Sequence, residues 1–198
     1  MRRSCPRQLR KLHLIICEDT KSSQYYMQGL KEKFGINIKI EKSEGTDIGN
    51  VIRTAGIKSK RTGLNKEMQQ VYCLFDKDET TDDVFFTKMR ESEVKGYINA
   101  YSIPCYEYWL LLHLVKTDRP FTNAQECCNA FVDAYNKKFG TQLSITDLKR
   151  KIDIFEDLFS TFQDAFDNAN SFAYSSLNNP YTNMHKIIEE LLKHKTKN

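Results

Sequence analysis

Two acidic clusters stand where hydrophobic runs end. Leu12-His13-Leu14-Ile15-Ile16-Cys17 leads into Glu18-Asp19, and Val71-Tyr72-Cys73-Leu74-Phe75 leads into Asp76-Lys77-Asp78. If both runs are parallel strands of one sheet, their C-terminal ends share the edge on which open α/β sheets place ligands. Carboxylates that converge there repel one another, and a hard cation such as Mg²⁺ or Mn²⁺, bound through oxygen, offsets that repulsion. Asp76 and Asp78 stand at i and i+2, so an extended segment would direct both to one side. Acidic residues also form turns and favour helix starts. That plainer role suits Asp82 and Asp83, at the head of a helix through Val84, Phe85, Lys88 and Met89. An EF-hand is excluded, because the loop from Asp76 has Thr81 where the glycine is required and Thr87 where the glutamate is required.

Glu107 adds a fourth acid. It interrupts the most apolar stretch of the chain, Ile103-Pro104-Cys105-Tyr106-Glu107-Tyr108-Trp109-Leu110-Leu111-Leu112-His113, where an ionised carboxylate needs a partner to offset its desolvation. Its distance from Ser102 is wrong for a capping box. On a helix that follows a fourth strand, it would reach the same sheet edge as Glu18, Asp76 and Asp78, with Asp19 as an extra acid.

The elements that must position these groups follow from periodicity. A strand is expected over 12–17, a helix over 22–34 through Tyr26, Leu30 and Phe34, and a strand through the alternating Ile36, Ile38 and Ile40. Thr46 or Asp47 can cap a helix through Ile48, Val51, Ile52 and Ala55. A strand at 71–75, a helix at 82–94, a strand at 97–101 and a helix from Pro104 to Val115 complete a β-α alternation that implies a parallel sheet with covering helices. The remainder reads as helices at 123–138 and 146–170, then a final helix through Ile187, Ile188, Leu191 and Leu192 capped by Thr182. Phe155, Phe159, Phe162 and Phe166 form an apolar stripe on the second of these, suited to a core or to a docking surface.

Bulk properties narrow the function. With 198 residues, 40% of them hydrophobic, the chain can bury one substantial core. No apolar run approaches the ~18 residues of a membrane span, and the basic start is not followed by a signal-peptide core, so a soluble cytoplasmic protein without membrane contact is expected. Six cysteines without a C-x-x-C pair read as reduced thiols. The net charge of +4 is mild but uneven. Arg2, Arg3, Arg7, Arg10 and Lys11 crowd the start, Lys58, Lys60, Arg61 and Lys66 the middle, and Lys193, Lys195 and Lys197 the end. Basic surroundings about an acidic centre would suit a phosphate-rich substrate.

Leu14-Ile15-Ile16-Cys17-Glu18 with Tyr26, Leu74-Phe75-Asp76-Lys77-Asp78, Pro104 to His113, Asn168-Ala169 and Asn179-Pro180-Tyr181-Thr182-Asn183-Met184-His185 resemble, in order, the motifs of the RloB-like family across nearly the whole chain. That family is similar to Toprim domains, the metal-binding fold of topoisomerases, primases and overcoming-lysogenization-defect nucleases. The resemblance implies a Rossmannoid α/β fold, with 1–116 a Toprim-like metal-binding catalytic domain and 117–198 a helical extension packed on it or on a partner. Glu18 would match the invariant Toprim glutamate, Asp76 and Asp78 the Asp-x-Asp pair, and Glu107 the glutamate before Trp-Leu-Leu. Asp19 stands where a glycine is usual, and Ser22-Ser23 where Thr-Glu is frequent. Lys137 and Lys138 lie in a segment similar to a tyrosine-lysine stretch of the family and would meet phosphate.

The implied function is a Mg²⁺- or Mn²⁺-dependent nuclease of a bacterial anti-phage system, controlled by an ABC-type ATPase from a neighbouring gene. RNA, such as transfer RNA, is favoured slightly over DNA for so small a chain. The alternative is a non-catalytic Toprim module that binds nucleic acid or regulates the ATPase. A phosphoryl receiver domain fits less well, since it lacks a Lys-Pro turn after a fifth strand and leaves Glu107 without a task. Self-association is left open.

Overall fold

The computed structural model describes residues 10–18, 21–45, 47–172 and 178–196, so Asp19, Thr46, Arg2, Arg3, Arg7 and Lys197 lie outside the described residues. Strands β1 (Leu12–Cys17), β2 (Ile38–Lys42), β3 (Gln69–Asp76) and β4 (Ile98–Ile103) alternate with helices α1 (Lys21–Phe34), α2 (Ile48–Arg61) and α3 (Asp82–Val94). The four strands are parallel, and a short β5 (Tyr181–Thr182) joins β4 antiparallel, giving the order β2-β1-β3-β4-β5. The fold is a Rossmann-like α/β sheet.

Strand alternation divides the core. Leu14, Ile16, Val71, Cys73 and Phe75 face α2 and α3, where Val51, Ile52, Ala55 and Phe85 cover them. Ile15, Cys17, Tyr72 and Leu74 face the other way, onto α1 and the C-terminal helices. Asp47 caps α2 by accepting the Asn50 backbone N–H at 3.0 Å, as its position before the apolar periodicity implies. The chain leaves β1 to one side and reaches β3 on the other, so the strand order reverses between them. At such a switch point the loops diverge and a crevice opens beyond the strand ends.

The C-terminal half comprises α4 (Glu107–Leu112), α5 (Ala124–Phe139), α6 (Ile145–Leu148), α7 (Ile154–Leu158), a 3₁₀ turn at Phe159–Thr161, α8 (Phe162–Asn170) and α9 (Met184–Leu192). Here the structure corrects three expectations. The helix expected from Pro104 to Val115 is only α4. It starts after a cis Ile103–Pro104 peptide and ends where the Asn168 side-chain amide donates to Leu112 O at 2.8 Å. The continuous helix expected at 146–170 is instead three short helices and a 3₁₀ turn. A single straight stripe would have buried Ile152, which is 70% exposed. The breaks let Phe155 and Leu158 pack on α1 while Ala165 and Phe166 pack on α4. Thirdly, Tyr181–Thr182 pairs as a strand ahead of the last helix, while Thr182 Oγ1 still accepts the backbone N–H of Met184, the first residue of α9, at 3.2 Å. Residues beyond 116 thus complete the sheet edge and share one hydrophobic cluster with β1 and α1, and that cluster holds Phe155 and Phe166 with Phe159 and Phe162 packed against it. Among the described residues no helix is long and apolar enough to cross a membrane.

The α1–α7 contact gives a sharp test. Alanine usually stabilises a helix interior over glycine by about 0.8–1.0 kcal/mol, but a Cβ on Gly29 of α1 would overlap Phe155. Overpacking costs about 1–3 kcal/mol. The overlap is with the Cβ and ring of Phe155 rather than a flexible chain end, so the upper part of that range applies. Gly29→Ala is therefore expected to destabilise by about 1–2 kcal/mol net of the helix-propensity gain, seen as a lower urea midpoint. An unchanged or raised midpoint would mean that the face is loosely packed.

Candidate metal centre

Glu18 directly follows β1 and Asp76 ends β3, which places both at the switch point. They touch: the Asp76 backbone N–H donates to Glu18 Oε2 at 3.1 Å. Ladder pairing continues past the end of β3, since Lys77 N–H donates to Ser102 O at 3.1 Å. The chain then turns at Asp78, whose φ is +44° and whose N–H donates to Pro104 O at 2.9 Å. Asp78 is therefore not the second tooth of an extended segment, contrary to the i, i+2 argument. It occupies a left-handed turn that aspartate tolerates better than most residues, yet its charge still acts on both Glu18 and Asp76.

Glu107 is the first residue of α4 and only 5% exposed. Ser22 in the first turn of α1 donates to its Oε1 at 3.1 Å. Ser22 was visible in the sequence only as a departure from a motif, and its role as an anchor was missed. Glu18, Asp76, Asp78 and Glu107 thus arrive from three separate segments.

The electrostatics are those of crowded like charges. Burial pushes the Asp76 carboxyl well above the usual carboxylate range, and repulsion from Glu107, Glu18 and Asp78 adds to it, against a hydrogen bond from the Tyr106 backbone amide. Burial also raises Glu18 to about 7, opposed by the Asp76 N–H and reinforced by Asp78 and Asp47. Asp47, legible as a cap, is thus also a fifth negative charge near the centre. Among the described residues no lysine or arginine forms an ion pair with Glu18, Asp76, Asp78 or Glu107. Lys77, between the two aspartates, instead pairs with Asp82 at 2.8 Å. Among the described residues the four carboxylates do not bring three ligand oxygens within 4.8 Å of one another, as Cys105, Glu107 and Cys128 do with their ligand atoms. The donor type and excess negative charge of the four suit a hard divalent cation that would draw them together on binding.

Positive charge is not arranged as expected. Arg10 and Lys11 precede β1, Lys58, Lys60 and Arg61 close α2, and Lys66 lies ahead of β3. Lys193 and Lys195 follow α9, where the His194 ring sits 4.5 Å from that of His13 at the start of β1. Apart from Lys58, whose ammonium reaches Glu41 near the C-terminal end of β2 at 2.6 Å, these residues lie towards the N-terminal ends of the strands, opposite the acids, because a helix that starts at one sheet edge must end at the other. Lys137 and Lys138 are exposed in the last turn of α5, about 14 Å along the helix from Cys128 at ~1.5 Å per residue. Lys21 opens α1, Lys42 ends β2 and Lys77 follows β3, which places these three on the acidic edge.

Several residues picked out in the sequence prove to be struts for this edge. Tyr26 Oη meets His113 Nε2 at 3.0 Å, and His113 Nδ1 meets Leu158 O at 3.3 Å, so Nδ1 carries the proton and Tyr26 donates. Burial lowers the His113 pKa to about 3, which keeps the ring neutral. A family model described as RloB-like protein matches residues 13–191. The chain belongs to the RloB-like family. No curated protein and no solved structure matches it.

In this RloB-like chain the Asn-Pro-Tyr-Thr-Asn block is structural. Asn183 Oδ1 accepts Tyr101 N–H at 2.8 Å, its Nδ2 donates to Asn99 O at 2.9 Å, and Thr182 Oγ1 meets Ser102 Oγ at 2.9 Å. The Asn179 amide donates to Phe121 O at 2.6 Å. These contacts fasten the C-terminal segment to β4, the strand that leads into α4 and Glu107.

Proposed function

We propose that this chain is a Mg²⁺- or Mn²⁺-dependent phosphodiesterase that cleaves nucleic acid, with Glu18, Asp76, Asp78 and Glu107 as its working carboxylates. The observation that carries this reading is the mutual repulsion of the four about the switch point, with no lysine or arginine ion-paired to them among the described residues. A bound divalent cation supplies Lewis-acid polarisation of the scissile phosphate and lowers the pKa of an attacking water. Asp76 and Asp78 hold the cation from the β3 end. Glu107, fixed by Ser22, either completes that shell or orients water. Glu18 Oε2 accepts the Asp76 amide, which orients the carboxylate so that its other oxygen could either face the cation or take a proton from the attacking water.

The likeness of RloB-like proteins to Toprim nucleases supports a role as effector of an anti-phage system held in check by an ABC-type ATPase. With most of the positive charge towards the opposite sheet edge, few cations, Lys21 among them, stand near the acids to meet phosphate, which favours a short, flexible segment such as an RNA loop over a long duplex.

The test incubates the purified chain, alone and with the ATPase of its own operon, with labelled single-stranded RNA, transfer RNA and duplex DNA. Mn²⁺-dependent cleavage that EDTA stops is expected, RNA being preferred. Mn²⁺ binding without cleavage of any substrate, with and without ATPase, would assign the site to a non-catalytic module instead.

A further inference from the structure

The thiols beside Glu107 have no part in phosphodiester chemistry, yet they are arranged around it. Cys105 Sγ, Cys128 Sγ and a Glu107 carboxylate oxygen lie within 4.8 Å of one another. Cys105 is 3% exposed and Glu107 5%, whereas Cys128 is half-buried and so open to solvent on one side. Two of the three side chains are anchored. Cys105 Sγ reaches Ala124 O at 3.7 Å, which holds the thiol against the first turn of α5, and Cys128 follows one turn further along that helix. Glu107 is held by Ser22. All five described cysteines are free thiols.

We propose that Cys105, Cys128 and Glu107 form a three-ligand site for a thiophilic divalent cation of the zinc class, with solvent in the fourth position. Zinc takes sulfur at ~2.3 Å and carboxylate oxygen at ~2.0–2.2 Å in a tetrahedron, which sets ligand atoms about 3.6–3.8 Å apart. The present spacing reaches this by small side-chain rotations. Two thiolates repel Mg²⁺ chemistry and select zinc, cobalt or copper(I), so the site differs in kind from the all-oxygen centre next to it. On binding, the two thiol protons pass to bulk water through the open side at Cys128. Glu107 is common to this site and to the phosphodiesterase reading, but the thiolate signature depends on Cys105 and Cys128, so the failure of one reading is distinguishable from the failure of the other.

Co²⁺ is the probe. Wild-type protein, reduced with a phosphine and freed of metal, should bind one Co²⁺ with near-ultraviolet thiolate-to-metal charge-transfer absorption, and Zn²⁺ should displace it. Cys128→Ser should weaken binding about tenfold or more and remove most of that absorption. Asp76→Asn should keep it, whether or not that variant retains any cleavage. Absence of a thiolate band in the wild type overturns the proposal, as does an unchanged band in Cys128→Ser or its loss in Asp76→Asn. Should Cys128→Ser fail to fold, Zn²⁺ must still slow maleimide labelling of Cys128 in the wild type about tenfold, and unprotected labelling also overturns it.

Discussion

Asp76→Asn should abolish Mn²⁺ binding in isothermal titration and lower cleavage by about three orders of magnitude, roughly 4 kcal/mol of transition-state stabilisation. Asparagine keeps the shape of the side chain and can still accept the Tyr106 amide, but it offers no charge to a cation. The same change removes one of several mutually repelling carboxyls, each of which raises the Asp76 pKa. The metal-free variant should therefore melt no lower than the metal-free parent. Activity lost and stability kept is the signature of an acid placed for chemistry. Persistent Mn²⁺ binding would remove Asp76 from the site, and a fall of several degrees in melting temperature would make it a structural residue.

The strands and first helices were legible because their signals are local. β1 and β3 are apolar runs buried on both faces, α1 and α2 carry helical periodicity, and Asp47 is a cap with the right neighbour. What the sequence hid depends on tertiary contact. Nothing local stops a helix through Lys149 to Ile152. It stops because Lys151 turns to pair with Asp153 and Asp157 at 2.9 and 2.7 Å and because Phe155 and Phe166 must meet different helices. β5 spans two residues and is held by Asn183 and Thr182 side chains reaching β4, a pairing that periodicity cannot show.

At the site, the four carboxylates were legible from residue type at strand ends and from a charge inside an apolar helix. The path that unites them was only partly so. Asp78 arrives by a left-handed turn rather than by strand alternation, and Ser22 finds Glu107 across 85 positions of chain. Clusters of basic residues in a sequence give no direction in space. Only once α2 is seen to run from the acidic edge to the opposite one do Lys60 and Arg61 separate from the acids, while Lys58 reaches back to Glu41. The cysteine group was equally hidden, since Cys105 and Cys128 join only when α5 packs on α4.

Glu18→Gln should stabilise the metal-free protein increasingly as pH rises. The Glu18 carboxyl stands at about 7 in the fold against 4.5 ordinarily. Below pH 4.5 it is protonated in both states and contributes nothing. Between 4.5 and 7 the unfolded chain releases the proton first, so stability falls as pH rises, by at most about 3 kcal/mol once fully ionised at ~1.36 kcal/mol per pH unit. Solvent at this half-buried group trims that figure. Burial lowers His13 and His185 to about 4 and His113 to about 3, and these act with the opposite sign: the unfolded chain binds their protons below 6.5, so stability rises with pH up to that point. The parent's own profile therefore mixes the two. Subtracting parent from variant cancels the histidines, and Gln can still accept the Asp76 N–H, so the difference isolates the charge. In EDTA, urea midpoints should give a gap near zero at pH 4 that opens to about 2–3 kcal/mol at pH 8. Saturating Mn²⁺ should then close or invert it, because a cation that binds the folded parent adds its own binding free energy to stability. A gap that does not change with pH would mean that Glu18 is neither desolvated nor pressed by Asp78 and Asp47, and the buried acidic centre would be lost with it.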